Sequence, residues 1–145
     1  MPKGTTFAND ILALVFNATA IANIAQNQGT SPATTMNIAA HTADPGAGGS
    51  QTTSEISYTG YARATPARST GGFPAPSGGV ISPAATISWG AMTAGTGGTI
   101  THFSIGTVPS TTANKLLYAG TVTPNISVVN GVTPQLSTAT TITET

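Results

Sequence analysis

After residue 32 the chain is divided into short segments by clusters of Gly, Pro, Asn and Ser, and this punctuation limits the choice of folds. The sequence has 17 Gly and 10 Pro in 145 residues, and β-branched and aromatic residues fill the intervening segments. Such spacing is typical of an all-β domain. We therefore predict a mainly β fold, an antiparallel β-sandwich or a jelly-roll-like barrel. The predicted strands are 35–41, 56–65, 79–82, 84–88, 99–106, 115–122, 126–129 and 139–143.

One helix is predicted ahead of these strands, over residues 6–27. Apolar residues recur there at steps of three and four, which indicates an amphipathic helix. They are Phe7, Ile11, Leu14, Val15, Ala18, Ala22 and Ala25. Further apolar residues, among them Phe16, widen the stripe to a second face, so the helix either touches a neighbouring subunit or is fully buried in its own domain. At this length the chain fits a single domain over 1–145, with the helix at 6–27 and the β-sandwich at 33–145.

Two short motifs predict turns. Asn130–Gly131 follows a run of β-branched residues, and this dipeptide favours a type I′ hairpin because both central positions of that turn need positive φ. Asp44–Pro45–Gly46 is predicted to be a turn that the Asp44 carboxylate caps through backbone N–H groups.

Charge is scarce throughout the chain. Asp, Glu, Lys and Arg make up 6% of the residues, with four cationic and four anionic side chains, against about 25% in ordinary soluble domains. No basic face is available for phosphates or anionic lipids, which argues against nucleic-acid and membrane partners. A net charge near zero instead suits a protein that associates with other proteins. No hydrophobic run is long enough for secretion or membrane spanning, which predicts synthesis in the cytoplasm.

The sequence offers little for catalysis or metal binding. His41, Asp44 and His102 could in principle supply metal ligands, but their spacing matches no zinc motif. Counting residues does not rule out a Ser-His-Asp triad, yet no Gly-x-Ser-x-Gly motif is present. We predict no enzymatic activity, no cofactor and no metal site.

Six residues are predicted to form contacts between subunits: Glu55, Tyr61, Arg63, Arg68, Phe16 and Phe73. Two arginines in so neutral a chain should have specific partners, because Arg pairs with carboxylates and is enriched at interfaces. One interpretation is a pair between subunits, with Glu55 or an acidic partner. The alternative is a solvated strand face. Trp89 could anchor an interface, but core packing is favoured for it.

Several motifs along the chain resemble those of small tailed-phage virion structural proteins. They are Gly4–Asp10, His41–Gly46, Tyr58–Arg63, Thr101–Gly106, Lys115–Gly120 and Asn130–Pro134. Proteins of this kind are often labelled tail-fibre-like, and some are decoration or cement proteins. The resemblance implies a virion protein made in the host cytoplasm and no catalytic residues.

Within that resemblance, the small size and the lack of a shaft-like repeat favour a capsid decoration or cement protein that binds and stabilises the assembled head. The alternative is a small tail, baseplate, head-fibre or tail-fibre component involved in host attachment. The expected partners are further copies of the chain, as a dimer or trimer, and the major capsid protein or another virion protein.

Overall fold

The computed structural model describes residues 3–25, 32–107 and 115–144. The chain forms two compact units. Unit 1 consists of Met1–Thr35, Pro66–Thr86 and Ser137–Thr145, and unit 2 consists of Met36–Thr65 and Ile87–Leu136. That residues 1–145 form a single domain stays a prediction.

The described residues form one helix and seven strands, all paired antiparallel. In chain order they are α1 (Thr5–Asn17), β1 (Asn37–His41), β2 (Val80–Ile81), β3 (Ile87–Ser88), β4 (Gly98–Gly106), β5 (Tyr118–Val128), β6 (Gln135–Leu136) and β7 (Ile142–Thr143). The prediction of a mainly β fold with one N-terminal helix is confirmed. The described strands close into no barrel, so the sandwich is the predicted architecture that remains compatible with them.

Unit 1 contains α1 and the two-stranded sheet β2–β7. Ala8, Leu12 and Phe16, spaced by four residues, form the buried stripe of α1. The Phe16 ring packs edge-on against Phe73, with ring centroids 4.9 Å apart. Aromatic pairs prefer this geometry to face-to-face stacking. The helix is thus held by its buried stripe.

The helix ends ten residues earlier than predicted, at Asn17 rather than at residue 27. Ala18 adopts a left-handed conformation (φ 56°), and its N–H donates to the Ala13 carbonyl. Ile21 remains buried, but in a turn closed by reciprocal backbone bonds with Ala25. Ala22 of the predicted stripe and its neighbour Ile24 are exposed. The prediction failed because apolar spacing by itself shows neither where the helix ends nor which of these residues are buried. Residues 26 and 27 lie outside the described residues.

Unit 2 contains a three-stranded sheet in the order β1–β4–β5 and the short pair β3–β6. Every residue of β1 is buried. In the register, His41 lies opposite His102 and Ile105 lies opposite Tyr118. Trp89 is fully buried and donates its indole N–H to the Ile38 carbonyl at 2.9 Å, which confirms its predicted place in a core.

Several predicted strands need correction. Segments 35–41 and 99–106 correspond to β1 and β4, whereas 115–122 and 126–129 merge into β5. Segment 56–65 is not a strand and makes only isolated bridges, such as Thr59 with Ala94. Gly60 interrupts it with a φ of +102°, where an added Cβ would lie 2.1 Å from the Ala91 carbonyl oxygen. A regular strand cannot continue through such a residue.

The Asn130–Gly131 turn is present, but it does not form the predicted hairpin. Val132 donates to the Val129 carbonyl at 2.9 Å, and Gly131 has a φ of 87° while Asn130 does not have positive φ. Positive φ at the second central residue alone is the pattern of a type II turn. The chain then leads to β6, which pairs with β3 instead of β5. The local signal thus located the turn, but long-range pairing decided the partner of the next strand.

Replacing Ala18 with Gly should stabilise the protein by about 0.5–1 kcal/mol, because an L-residue in the left-handed region carries a strain that Gly avoids. The measurement is the midpoint of thermal or urea unfolding. Ala13→Gly, inside the same helix, is the matched control and should destabilise by about 1 kcal/mol. Equal destabilisation by both changes would contradict this view of the helix end.

Candidate functional site

A group of polar side chains lies inside unit 2, and we call it the polar cluster. Its members are Asn37, His41, Gln51, Glu55, Tyr61, Arg63 and Ser104. They come from β1, from β4 and from segment 49–63. Burying so many polar groups is unfavourable unless they bond to one another. The polar cluster is therefore the candidate site, either for a chemical function or for fixing the fold of unit 2.

The strongest contact of the polar cluster is the ion pair between Arg63 and Glu55. Arg63 donates from Nε to Glu55 Oε1 and from Nη2 to Oε2, both at 2.7 Å, so the pair is bidentate. The two side chains are only 2% and 11% exposed. The hydrogen bond to Glu55 is the main cause that raises the pKa of Arg63 above its ordinary value. The Arg63 guanidinium thus keeps its charge in a nearly dry setting.

Tyr61 links this ion pair to the sheet. Its hydroxyl donates to Glu55 Oε1 at 2.8 Å and accepts the backbone N–H of Ala40 at 3.1 Å. Burial is the main cause that raises the pKa of Tyr61 above its ordinary value, so the phenol stays protonated. The ring also packs edge-on against Tyr58, with centroids 5.4 Å apart. Segment 55–61 is thereby fastened to β1.

His41 belongs to the same polar cluster and forms hydrogen bonds through both ring nitrogens. Its Nδ1 is 2.8 Å from the Thr53 carbonyl oxygen, and its Nε2 is 2.7 Å from Ser104 Oγ. A carbonyl can only accept, so Nδ1 carries the proton and Ser104 donates to Nε2 in the neutral ring. Burial is the main cause that lowers the pKa of His41 below its ordinary value. The ring is therefore neutral near pH 7.

The last two members of the polar cluster, Gln51 and Asn37, differ in their hydrogen bonds. Gln51 Nε2 donates to the Asn37 carbonyl at 2.9 Å, and Arg63 Nη1 donates to Gln51 Oε1 at 3.4 Å. The side-chain amide of Asn37 is buried and has no hydrogen-bond partner among the described residues. The side chains around Arg63 are thus hydrogen-bonded to one another. The amide of Asn37 is the member of the polar cluster for which the described residues supply no hydrogen bond.

The order Ser104–His41–Thr53 carbonyl is the hydrogen-bond order of a serine nucleophile, its base and an orienting acceptor. However, Ser104 and His41 are both 0% exposed, so no substrate reaches Ser104 Oγ in this conformation. Asp44 accepts the N–H of Gly46 at 2.8 Å in its own turn, as the turn prediction required, and is not part of this arrangement. The arrangement is that of a packed interior. Sequence spacing could not reveal the contact with Ser104, because β1 and β4 meet only in the sheet.

Arg68 lies in unit 1 and has a different partner from the predicted carboxylate. It donates to two carbonyls at the end of α1, to Val15 from Nε at 2.6 Å and to Leu14 from Nη2 at 2.5 Å. A cation is favourable there because the last carbonyls of a helix have no partner within the helix. Burial lowers the pKa of Arg68. This arginine therefore stabilises the end of the helix.

The predicted interface residues fall in separate places. Glu55 pairs with Arg63 of the same chain. Phe16 and Phe73 are 0% exposed, so their rings present no surface to a partner. An interface role for all six residues stays a prediction.

An uncharged surface is accessible on unit 2 along β5, the edge strand of the sheet. Residues 116–143 contain no Asp, Glu, Lys or Arg. The exposed residues of β5 are Ala119, Thr121, Thr123, Pro124, Asn125 and Ser127. The pairing with β4 shifts between Ile100 and His102, and a bulge together with a proline discourages continuous pairing with another strand. This surface suits side-chain contacts.

Metal binding and membrane spanning can be assessed for the described residues. They contain no group of three or more His, Cys, Asp or Glu side chains placed to hold a metal ion. No helix in the described ranges is long and apolar enough to cross a membrane.

Comparison with known families identifies the chain as a structural protein of the virion of tailed phages, which confirms the resemblance noted in its motifs. The family model that matches is described as "Podophage GP4 fiber I protein gp80", and it covers residues 4–143. The chain belongs to this family. No curated protein matches it significantly.

Lowering the pH below about 6.5 should destabilise the protein through His41, because the unfolded chain then binds a proton that the folded chain disfavours. The contribution of His41 is fully present above the unfolded pKa and is lost as pH falls toward the lower folded pKa. Urea unfolding between pH 7 and pH 5 measures it. His41→Gln should reduce the change in unfolding free energy between these pH values, which is the slope of stability against pH. His102→Gln, on the facing strand, should keep most of that slope. An unchanged slope in His41→Gln would exclude His41 as the cause.

Replacing Glu55 with Gln should destabilise the protein by about 3 kcal/mol, since it leaves the buried Arg63 charge without its carboxylate. The matched control is Glu144→Gln, which removes the partly exposed ion pair with Lys3 and should cost less than about 1 kcal/mol. Both values come from urea unfolding. Similar losses in the two variants would show that the Glu55 pair is no more than a surface contact.

Proposed function

We propose that the protein is a non-catalytic structural subunit of a tailed-phage fibre and acts through protein–protein contacts. The observation that carries the proposal is the match of residues 4–143 to a family described as a fibre protein. The buried state of the Ser104–His41 pair supports a structural role, because this hydroxyl–imidazole contact is enclosed and 0% exposed.

The accessible surface of unit 2 supports a role in assembly. The exposed side chains of β5 are hydroxyls, an amide and small apolar groups, and the following turn exposes Val129 to 56%. Such groups lose little solvation when a partner covers them, compared with charged groups. Because the whole chain has no net charge, copies of it do not repel one another. We propose that the chain binds further copies of itself, as a dimer or trimer, and another virion protein.

A capsid decoration or cement protein is the second candidate, and the dimensions of the strands favour it. The longest described strand has 11 residues, which corresponds to about 36 Å. That length is far below what a fibre shaft spans by itself. A decoration protein that binds only the assembled shell would stabilise the head by its binding free energy. In the fibre proposal, by contrast, this chain is a small component at a joint or tip.

Locating the protein in the particle distinguishes the two candidates. Antibody labelling in electron micrographs, with copy counting by quantitative mass spectrometry, should place a few copies to a few dozen on a fibre. Particles that lack the protein should lose that fibre and keep their head stability. Label over the whole head, with heads that rupture at lower temperature when the protein is absent, would instead establish the decoration role.

Adding a positive charge to the β5 surface should weaken assembly without unfolding the chain. Thr121→Lys is expected to reduce incorporation into particles roughly tenfold, which corresponds to a binding penalty of about 1.4 kcal/mol. Thr86→Lys, at an exposed position of unit 1, is the matched control and should be incorporated normally. The measurement is the amount of protein that co-purifies with particles. Normal incorporation of Thr121→Lys would exclude this part of β5 from the interface.

A further inference from the structure

The exposed Asn130–Gly131 turn combines a reactive dipeptide with a hydrogen-bonded backbone. Both residues are solvent-exposed, and the turn is closed by the bond from the Val132 N–H to the Val129 carbonyl. An asparagine followed by glycine is chemically labile, because glycine has no side chain to hinder attack by its own backbone nitrogen. The sequence alone therefore predicts a labile site at Asn130.

The fold ties this turn to Met92. The Gly131 N–H donates to the Met92 carbonyl at 2.8 Å, and the Met92 N–H donates to the Val132 carbonyl at 2.9 Å. Met92 itself is only 3% exposed, so the acceptor belongs to a packed part of unit 2. The two bonds fix both the position and the orientation of the Gly131 nitrogen.

Deamidation requires that nitrogen to be free. It must lose its proton and approach the side-chain carbonyl carbon of Asn130. A new C–N bond then forms, ammonia leaves with the side-chain nitrogen, and a five-membered succinimide results. Water opens the ring at either carbonyl and gives aspartate or isoaspartate, so one water enters and one ammonia leaves without any oxidant. A nitrogen whose N–H is bonded to Met92 can neither lose the proton easily nor rotate toward the side chain.

We propose that Asn130 is a deamidation site controlled by the bond between Gly131 and Met92. The native fold protects it, and local opening of that contact exposes the nitrogen and permits the reaction. The rate of deamidation is then proportional to the fraction of molecules in which the turn is open, as for other reactions that require local opening. The product places a carboxylate in residues 116–143, which have none in the unmodified chain. Deamidation thereby leaves a permanent mark on chains that have opened at this turn.

The test is peptide mass spectrometry of the whole protein after incubation in mildly alkaline buffer, with and without urea. We expect deamidation of Asn130 at least about tenfold slower in the native protein than in urea. Asn125, followed by the branched Ile126, is the internal control and should stay unmodified on the same timescale. In urea, Gly131→Ala should slow the reaction at Asn130, because the added methyl group hinders the nitrogen.

Two results would overturn the proposal: equal rates at Asn130 in native buffer and in urea, or no deamidation of Asn130 in urea. A third measurement addresses the bond itself in the unaltered protein. Amide hydrogen exchange at Gly131 should be slow in native buffer, and exchange as fast as in the unfolded chain would contradict protection by Met92. Met92→Ala, which loosens the packed acceptor, should accelerate both exchange and deamidation if the variant folds.

Discussion

Unit 2 depends on the compensation of one buried charge. The Arg63 guanidinium lies almost out of contact with water and does not lose its proton at ordinary pH, so a carboxylate has to lie against it. Glu55 meets that need with both oxygens. Because Glu55 also accepts from Tyr61, and Tyr61 accepts from the backbone of β1, the ion pair fixes the path of segment 55–63 over the sheet. If that segment took another path, the buried Arg63 charge would lose its carboxylate. The observed path of the segment is therefore strongly preferred.

The scarce charges of the chain are used mostly within it. Of its four cationic side chains, Arg63 binds Glu55, Arg68 binds the last carbonyls of α1, and Lys3 pairs with Glu144. The exposed side chains of β5, by contrast, are hydroxyls, an amide and small apolar groups. This division fits a protein of a phage virion, whose subunits must associate without strong electrostatic repulsion.

Local patterns in the sequence predicted some elements well and others poorly. Strands β1 and β4 are rich in apolar residues and were predicted nearly in full, because both are buried along most of their length. Helix α1 was extended too far, since Ile21 is buried by a turn and not by a helix. The Asn130–Gly131 turn was located, yet β6 pairs with β3. The polar cluster was missed as a unit, although His41, Glu55, Tyr61 and Arg63 were each singled out. The partners of a strand or a buried polar group lie far away in sequence, and no local signal encodes them.

The sequence by itself determined the mainly β class, the presence of an N-terminal helix and the scarcity of charge, because composition and periodicity act residue by residue. It also carried the motifs that mark the family of tailed-phage virion proteins. Only the tertiary structure decided what the few charged and polar residues do. Arg63 and Glu55 pair within one chain, Arg68 binds the helix end, and Ser104 meets His41 inside the sheet. Buried charges and hydrogen-bonding groups must find their partners in space, and it is the fold that brings distant segments close enough to supply them.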